Sequence, residues 1–298
     1  MEIINKIVEH LRCQKRVALS WYARHFMKAP RVLSVDETLN LIIKEHYSVS
    51  RNGDGELNLM IGESIGFQDN NPRLAQLMRD ALNAKLDKYL SCLPNIFVDY
   101  SRFNDYARKY FDGYLRTKRF YYYSLAKAPV YGDAFISRFY IDLKDKSQSD
   151  RRIEKLKKIW EGQNIVLLEG KESRLGVNND LFNGAKTLKR ILGPVENAFD
   201  RYDDLMVKVQ EVADKNTLIL LALGPTATAM TYELAKKGFW AVDIGHIDIE
   251  YEWYLMGATS KIAVPGKYTN ECAAGKFTGS LPEEALIKYN SEIIAEIL

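Results

Sequence analysis

Apolar runs and amphipathic segments alternate through the second half of the chain. Residues 165–169, 217–223 and 239–244 are apolar almost throughout, as expected of strands buried on both faces. Segments 199–213 and 227–237 repeat their apolar positions at helical spacing. A further segment, 187–192, and a last strand at 261–264 extend the series. This beat predicts an α/β domain whose mostly parallel sheet carries helices on both faces. The first half is more varied. Residues 2–28 read as a helix with Ile3, Ile4, Ile7, Val8 and Leu11 on one side, and Ser34 with Glu37 reads as a capping box ahead of a helix at 38–44. A short strand ending at Arg51 leads through glycines into the helical LNLMIG, followed by a helix over 73–90. After Pro94 we expect a strand at 95–98, a Tyr-rich helix at 103–115, and a strand from the aromatics of 118–124. The apolar run 134–141 contains Arg138, a candidate anion contact or a paired surface arginine. The polar stretch 142–152 is the best candidate for an internal subdivision. We therefore divide the chain into a helical N-terminal extension, 1–33, and a single domain, 34–298.

Composition narrows the classes without choosing among them. The 298 residues are 47% hydrophobic and 27% charged, enough for a sizeable core. A formal net charge of +3, with no basic stripe interleaved with aromatics, gives no reason to expect nucleic acid. The basic residues of 2–31 suit a solvated helix face, a partner protein, a homodimer contact or peripheral contact with an anionic membrane. Cys13, Cys92 and Cys272 lie far apart, in keeping with reduced thiols in a cytoplasmic protein. The N-terminus has neither a secretory pattern nor a membrane span.

Chemistry concentrates in the loops that follow the strands, where ligands of parallel sheets bind. FWAVDIGHIDIEYEWYLM, 239–256, runs from an apolar strand through Gly245 into His246, Asp248 and Glu250. If the backbone stays extended, those three side chains share one side, and a divalent cation would offset their crowding. Alternatively, Asp248 caps a helix beginning at Ile249. In YSVSRNGDGE, 47–56, Arg51, Asp54 and Glu56 follow a strand. Asn-Gly and Asp-Gly also suit a plain hairpin, but the helical segment that follows favours a ligand loop. Asp54 and Glu56 compete with Asp248 and Glu250 for the cation. Thr226 and Thr228 stand at a helix start, suited to phosphate. Glu169 and Arg174 follow another strand, as a hydrogen-bonding acid or base and a phosphate contact, or paired with each other. Together these describe a nucleotide diphosphate held with Mn²⁺ or Mg²⁺. A nicotinamide-dependent oxidoreductase is the rival enzyme, with Asp243 as its ribose acid, but GPTATA lacks the second and third glycines of that fingerprint. A non-catalytic nucleotide-binding module is the third reading.

RNGDGE at 51–56, ALGPTAT at 222–228 and DIGHIDIEYEW at 243–253 resemble the GT-D fold glycosyltransferases. That family was first recognised as a domain of unknown function in glycosylation loci of streptococcal serine-rich repeat adhesins. The resemblance covers about Val35 to Glu271. It implies a Rossmann-like sheet, a UDP-sugar donor (UDP-glucose in the best-known member), a Mn²⁺-type metal, and a glycan or glycoprotein acceptor such as an adhesin or a surface polysaccharide. The family's Asp-x-Glu motif falls on Asp248 and Glu250, as catalytic and metal-binding residues with His246 beside them. Its arginine and acidic loop falls on Arg51, Asp54 and Glu56, which would hold the nucleotide-sugar. The adhesin-modifying member carries a second glycosyltransferase domain after this one, whereas this sequence ends at Leu298; a stand-alone relative and a piece of a longer protein are both open.

Overall fold

A computed structural model describes residues 2–272, 275 and 279–298, with side chains from residue 4 onward; Ile3 of the N-terminal stripe lies outside them. The chain opens with helices α1 (Glu2–Phe26) and α2 (Val35–Glu45), then strand β1 (Ser48–Arg51). The expected capping box is present at α2: Ser34 accepts from the Glu37 amide, and Glu37 accepts from the Ser34 amide. Helices α3 (Asp54–Met60) and α4 (Pro72–Asn83) lead to β2 (Tyr89–Leu93). Helix α5 (Asp105–Leu125) precedes the short β3 (Gly132–Asp133) and a 3₁₀ turn, Ala134–Ser137. Helix α6 (Ser149–Lys157) leads into β4 (Asn164–Gly170), β5 (Thr187–Gly193) and helix α7 (Tyr202–Val212). Then come β6 (Leu218–Ala222), α8 (Pro225–Lys236), β7 (Trp240–Asp243) and α9 (Ile247–Leu255), and finally α10 (Glu283–Glu292) and β8 (Ile293–Glu296).

The strands form one eight-stranded sheet in the order β3-β2-β1-β7-β6-β4-β5-β8, and every pairing in it is parallel. Core residues lie on both faces, as the unbroken apolar strands predict. Val166, Leu168, Ile219 and Leu221 pack into one cluster, and Ile165, Leu167, Leu218 and Leu220 into the other. Strands on both sides of the polar stretch 142–152 belong to this sheet, joined where Val49 of β1 pairs with Val242 of β7.

Four local expectations are corrected. Residues 118–124 continue α5, because Ala107, Phe111, Leu115, Arg119 and Tyr122 repeat at helical spacing and are buried; packing overrides the strand preference of aromatics. The predicted helix 73–90 stops at Asn83, where Ala84 turns extended. The strand predicted at 95–98 lies before Pro94 instead, in YLSCL, which is buried at every position. No strand forms at 261–264: the Ile262 carbonyl accepts from the Trp253 indole, and Lys261 pairs with Glu271. The edge beside β5 is taken by β8.

One buried ion network ties the edge of the sheet together. Arg190 of β5 donates to Glu169 of β4 at 2.6 Å and to Glu292 of α10 at 2.7 Å, and Arg190 and Glu169 are 2% and 0% exposed. Removing the cation strands Glu169 in a dry site. Arg190→Met should cost about 3–5 kcal/mol in urea unfolding. Adding Glu169→Leu to it should recover much of that loss; no recovery would mean that Arg190 acts through packing.

Candidate functional site

The carboxyl ends of the strands open on a cleft of about 490 Å³. Two changes of direction in the topology create it. β1 connects to β2 on one side while β7 connects across the sheet to β8, and β4 and β6 likewise send their chains to opposite sides. The loops therefore part and leave a crevice. Arg51, Asp54 and Glu56 line it from the β1 side, and His246 and Asp248 from the β7 side.

The two loops are built against each other. Arg51 Nε and Nη2 donate to Asp243 Oδ1 at 3.1 and 2.9 Å, and its Nη1 donates to Ser137 Oγ at 3.0 Å. The Arg51 carbonyl accepts from Thr228 Oγ1 at 2.7 Å. Gly245 lies over the guanidinium at φ +45°, where a Cβ would sit 1.6 Å from Arg51 Nη2, so only glycine fits. Asp243, which the oxidoreductase reading would place on a ribose, is already paired with this arginine.

Beyond Gly245 the chain turns helical, with His246 at the cap position of α9. The extended arrangement that would bring His246, Asp248 and Glu250 to one side is therefore not present, and nor is an Asp248 cap. Two residues on a helix lie about 200° apart, and the carboxylates take different partners. Asp248 accepts from Lys267 Nζ at 2.7 and 2.9 Å, from the Gly176 amide at 2.8 Å and from Asn179 Nδ2 at 2.9 Å. Glu250 accepts from the amides of Tyr140 and Ile141, both at 3.1 Å. Its Oε1 has no hydrogen-bond partner among the described residues and lies 3.8 Å from Arg138 Nη1. Burial pushes the Glu250 carboxyl up to about 7, with Arg138 opposing. Of the pair, Asp248 lines the cleft and Glu250 lies behind it.

A charged cluster stands beside α9. Arg138 and Lys261 both donate to Glu271, at 2.9 and 2.7 Å, and Lys261 also reaches Asp142 at 3.4 Å. His246 Nε2 lies 3.7 Å from Glu271. Although burial opposes it, Arg138 and its neighbours hold the Glu271 carboxyl well below the usual range. Burial, reinforced by Arg138, Arg51 and Lys261, pushes His246 down to about 4.

In the 51–56 loop, Asp54 accepts from the Tyr110 hydroxyl. Glu56 accepts from the Gly53 amide at 2.7 Å, starting α3. Burial, with Asp243 and Asp54 nearby, raises the Glu56 carboxyl to about 7. Among the described residues no group of three or more His, Cys, Asp or Glu side chains is placed to hold a metal ion. A divalent cation that arrives with substrate phosphates commonly uses only one or two protein ligands; His246 and Asp248 both line the cleft, with both Asp248 oxygens held by Lys267.

The remaining predicted residues are spread around this centre. Gly224 and Pro225 of the α8 start line the cleft, with Thr226 buried just behind and its hydroxyl unpartnered among the described residues. Thr228 fixes the Arg51 carbonyl, as above. Glu169 pairs with Arg190, and Arg174 donates to the Gly266 carbonyl at 2.8 Å; neither lines the cleft nor pairs with the other. Sequence reasoning missed Tyr106, Tyr110 and Tyr114 of α5, which line the opposite wall. Their four-residue spacing puts them on one helix face and was the available signal.

The chain is similar to known proteins in sequence and in fold. The family profile described as "Glycosyltransferase GT-D fold" matches residues 49–272. A protein named Glycosyltransferase GlyD, from Streptococcus pneumoniae serotype 4, is 40% identical over 90% of the chain. A probable glycosyl transferase Gly from Streptococcus gordonii is 39% identical over 89%. The chain spans 33% and 39% of those relatives' own lengths. A solved structure titled as domain of unknown function 1792 with a distinct glycosyltransferase fold superposes with a TM-score of 0.85 at 40% identity, covering 96% of this chain and all of that one. A second, titled a new glycosyltransferase from Streptococcus sanguinis, gives 0.85 at 38% identity and covers 91% of this chain and all of that one.

The depressed His246 carries a pH consequence. Its folded pKa lies below its ordinary 6.5, so between about 6.5 and about 4 the unfolded chain binds a proton that the folded chain does not. Stability from this residue is present above that window and lost as pH falls through it. Urea unfolding of wild type and His246→Gln should therefore converge or cross as pH drops from 7 to 4.5. A constant difference between them would show an imidazole of ordinary pKa.

Proposed function

This chain belongs to the GT-D fold glycosyltransferases, and from that premise we propose that it transfers a hexose, glucose first among candidates, from a UDP-sugar to a glycan or glycoprotein hydroxyl. A serine-rich repeat adhesin or a surface polysaccharide is the proposed acceptor class. The observation that supports this most is the shared cleft: the 51–56 loop and the 243–253 segment line one crevice, with Gly245 against Arg51.

In this reading the diphosphate lies between the start of α8 and the start of α9. The free amides and dipole at the α8 N-terminus favour its negative charge; Thr226 backs that end, and Thr228 acts on it through the Arg51 carbonyl. Arg51 and Arg138 line the cleft and add positive charge. His246 and Asp248 would hold Mn²⁺ or Mg²⁺. Such an ion, when bound, would act as a Lewis acid toward the departing diphosphate.

Each remaining residue acts through the contacts it already makes. Lys267 and Asn179 fix Asp248 toward the cleft, where Asp248 is also the candidate base for the acceptor hydroxyl. Glu250 holds the 140–141 backbone and so positions Arg138. Asp54 and Glu56 are assigned to the donor sugar. Tyr106 and Tyr110 offer ring faces for the uracil or a pyranose. Glu169 and Arg174 support the loop after β4 from behind.

UDP release from a panel of UDP-sugars, with and without Mn²⁺, tests the assignment. One donor should be preferred, turnover should need the cation, and Asp248→Asn should lower the rate by about 100-fold or more while melting stays cooperative. Equal rates in wild type and Asp248→Asn would remove Asp248 from the chemistry.

A further inference from the structure

A second feature lies away from the cleft, on the N-terminal helix. One face of α1 packs on α5 through buried Ser20 and Ala23. The opposite face is also apolar, yet exposed. Ile4, Ile7 and Leu11 are 65%, 54% and 57% exposed, and Trp21, Tyr22 and Phe26 are 58%, 50% and 65% exposed. Positions 4, 7, 8, 11, 22 and 26 fall on one side of a 3.6-residue helix. They form a stripe about 33 Å long at 1.5 Å per residue. Among the described residues no tertiary contact covers this aliphatic and aromatic surface, and so large an exposed patch normally marks an interaction site.

Charge identifies the occupant. Residues 1–31 contain seven Lys and Arg against two Glu, in a chain whose total is only +3. Beside Trp21 a cavity of about 290 Å³ opens between α1 and α5, lined by Arg24, Arg116 and Arg119 with a single acid, Asp112. Arg119 is engaged with the Phe97 carbonyl and the Tyr123 hydroxyl, and Asp112 accepts from the Tyr100 hydroxyl. Arg24 and Arg116 make no hydrogen bond or ion pair among the described residues. A second copy of this chain docked stripe to stripe would bring the same basic residues together, which is unfavourable. An anionic lipid surface satisfies both features at once. The apolar stripe enters the acyl boundary, Trp and Tyr sit at headgroup depth, and the arginine cavity takes a lipid phosphate.

We propose that α1 docks this protein on anionic phospholipid bilayers, with the Arg24–Arg116 cavity receiving a headgroup phosphate. Helix α5 connects this surface to the cleft. Its Leu115, Arg116 and Arg119 line the lipid-facing cavity, while its Tyr106, Tyr110 and Tyr114 line the cleft. Docking would therefore hold the cleft beside the membrane. The inference stands on α1 and its cavity and is independent of the donor assignment.

Flotation with phosphatidylcholine vesicles, with and without phosphatidylglycerol, tests it. Wild type should bind only the anionic vesicles and release at high salt. Arg24→Gln with Arg116→Gln should weaken binding roughly 30-fold, since each basic residue near an anionic surface contributes about a factor of five. Trp21→Ala with Phe26→Ala should weaken it by at least about tenfold. All four positions lie on the surface or in the open cavity, and unchanged melting temperatures will confirm folding. Three results would overturn the proposal: no binding to anionic vesicles, equal binding by folded variants, or a concentration-dependent dimer in ultracentrifugation that the Trp21→Ala, Phe26→Ala protein loses.

Discussion

The ion pair between Arg51 and Asp243 is the contact on which the site depends. β1 and β7 meet at the middle of the sheet, where their register contains the single pair Val49 and Val242. Past that pair, the two strands are joined by side chain rather than by ladder. The guanidinium spans Asp243 and Ser137, Gly245 closes over it, and Thr228 secures its backbone. Three loops that belong to separate βα units are thereby set in one geometry. Asp243 is 3% exposed, so removing Arg51 would leave a buried carboxylate without its cation, a costly state. Any alternative arrangement would leave one of these charges unpaired in a dry site.

Around that centre the electrostatics divide into paired and poised groups. Asp248, Lys267 and Glu252 form a buried network that fixes the start of α9. Glu271 satisfies Arg138 and Lys261 together. By contrast, burial leaves Glu56 and Glu250 titrating at about 7 and His246 neutral over the ordinary range. Glu56 and His246 line the cleft and Glu250 stands behind it; perturbed groups gathered around one cleft are typical of sites that bind charge or move protons. Helix α5 shapes the same cleft from outside the sheet: its Tyr110 and Tyr114 rings stack at 5.9 Å and 8° between planes, and both hydroxyls bond to Asp54.

Much of this was legible in the sequence, for identifiable reasons. Strands 165–169, 217–223 and 239–244 announce themselves because burial on both faces admits no polar alternation. Ser34 with Glu37 before α2, and Gly53 with Glu56 at the start of α3, are local signals decided by local hydrogen bonds. The site's two loops were recognisable because strand ends in a parallel sheet share one edge. Other features depend on partners far away in sequence. Residues 118–124 look like a strand until α1 and Phe97 give the helix a face to pack on. The direction of Glu250 is set by the amides of residues 140 and 141, more than 100 residues away. Lys267, which holds Asp248, and the edge strand β8 carry no pattern of their own.

The central claim is that the 51–56 loop and the start of α9 form one donor site. A crystal structure of the protein with UDP and Mn²⁺ tests it most directly. The account predicts the diphosphate between the first turn of α8 and His246–Asp248, within contact distance of the Arg51 loop. UDP bound elsewhere on the fold, with this cleft empty, would contradict it.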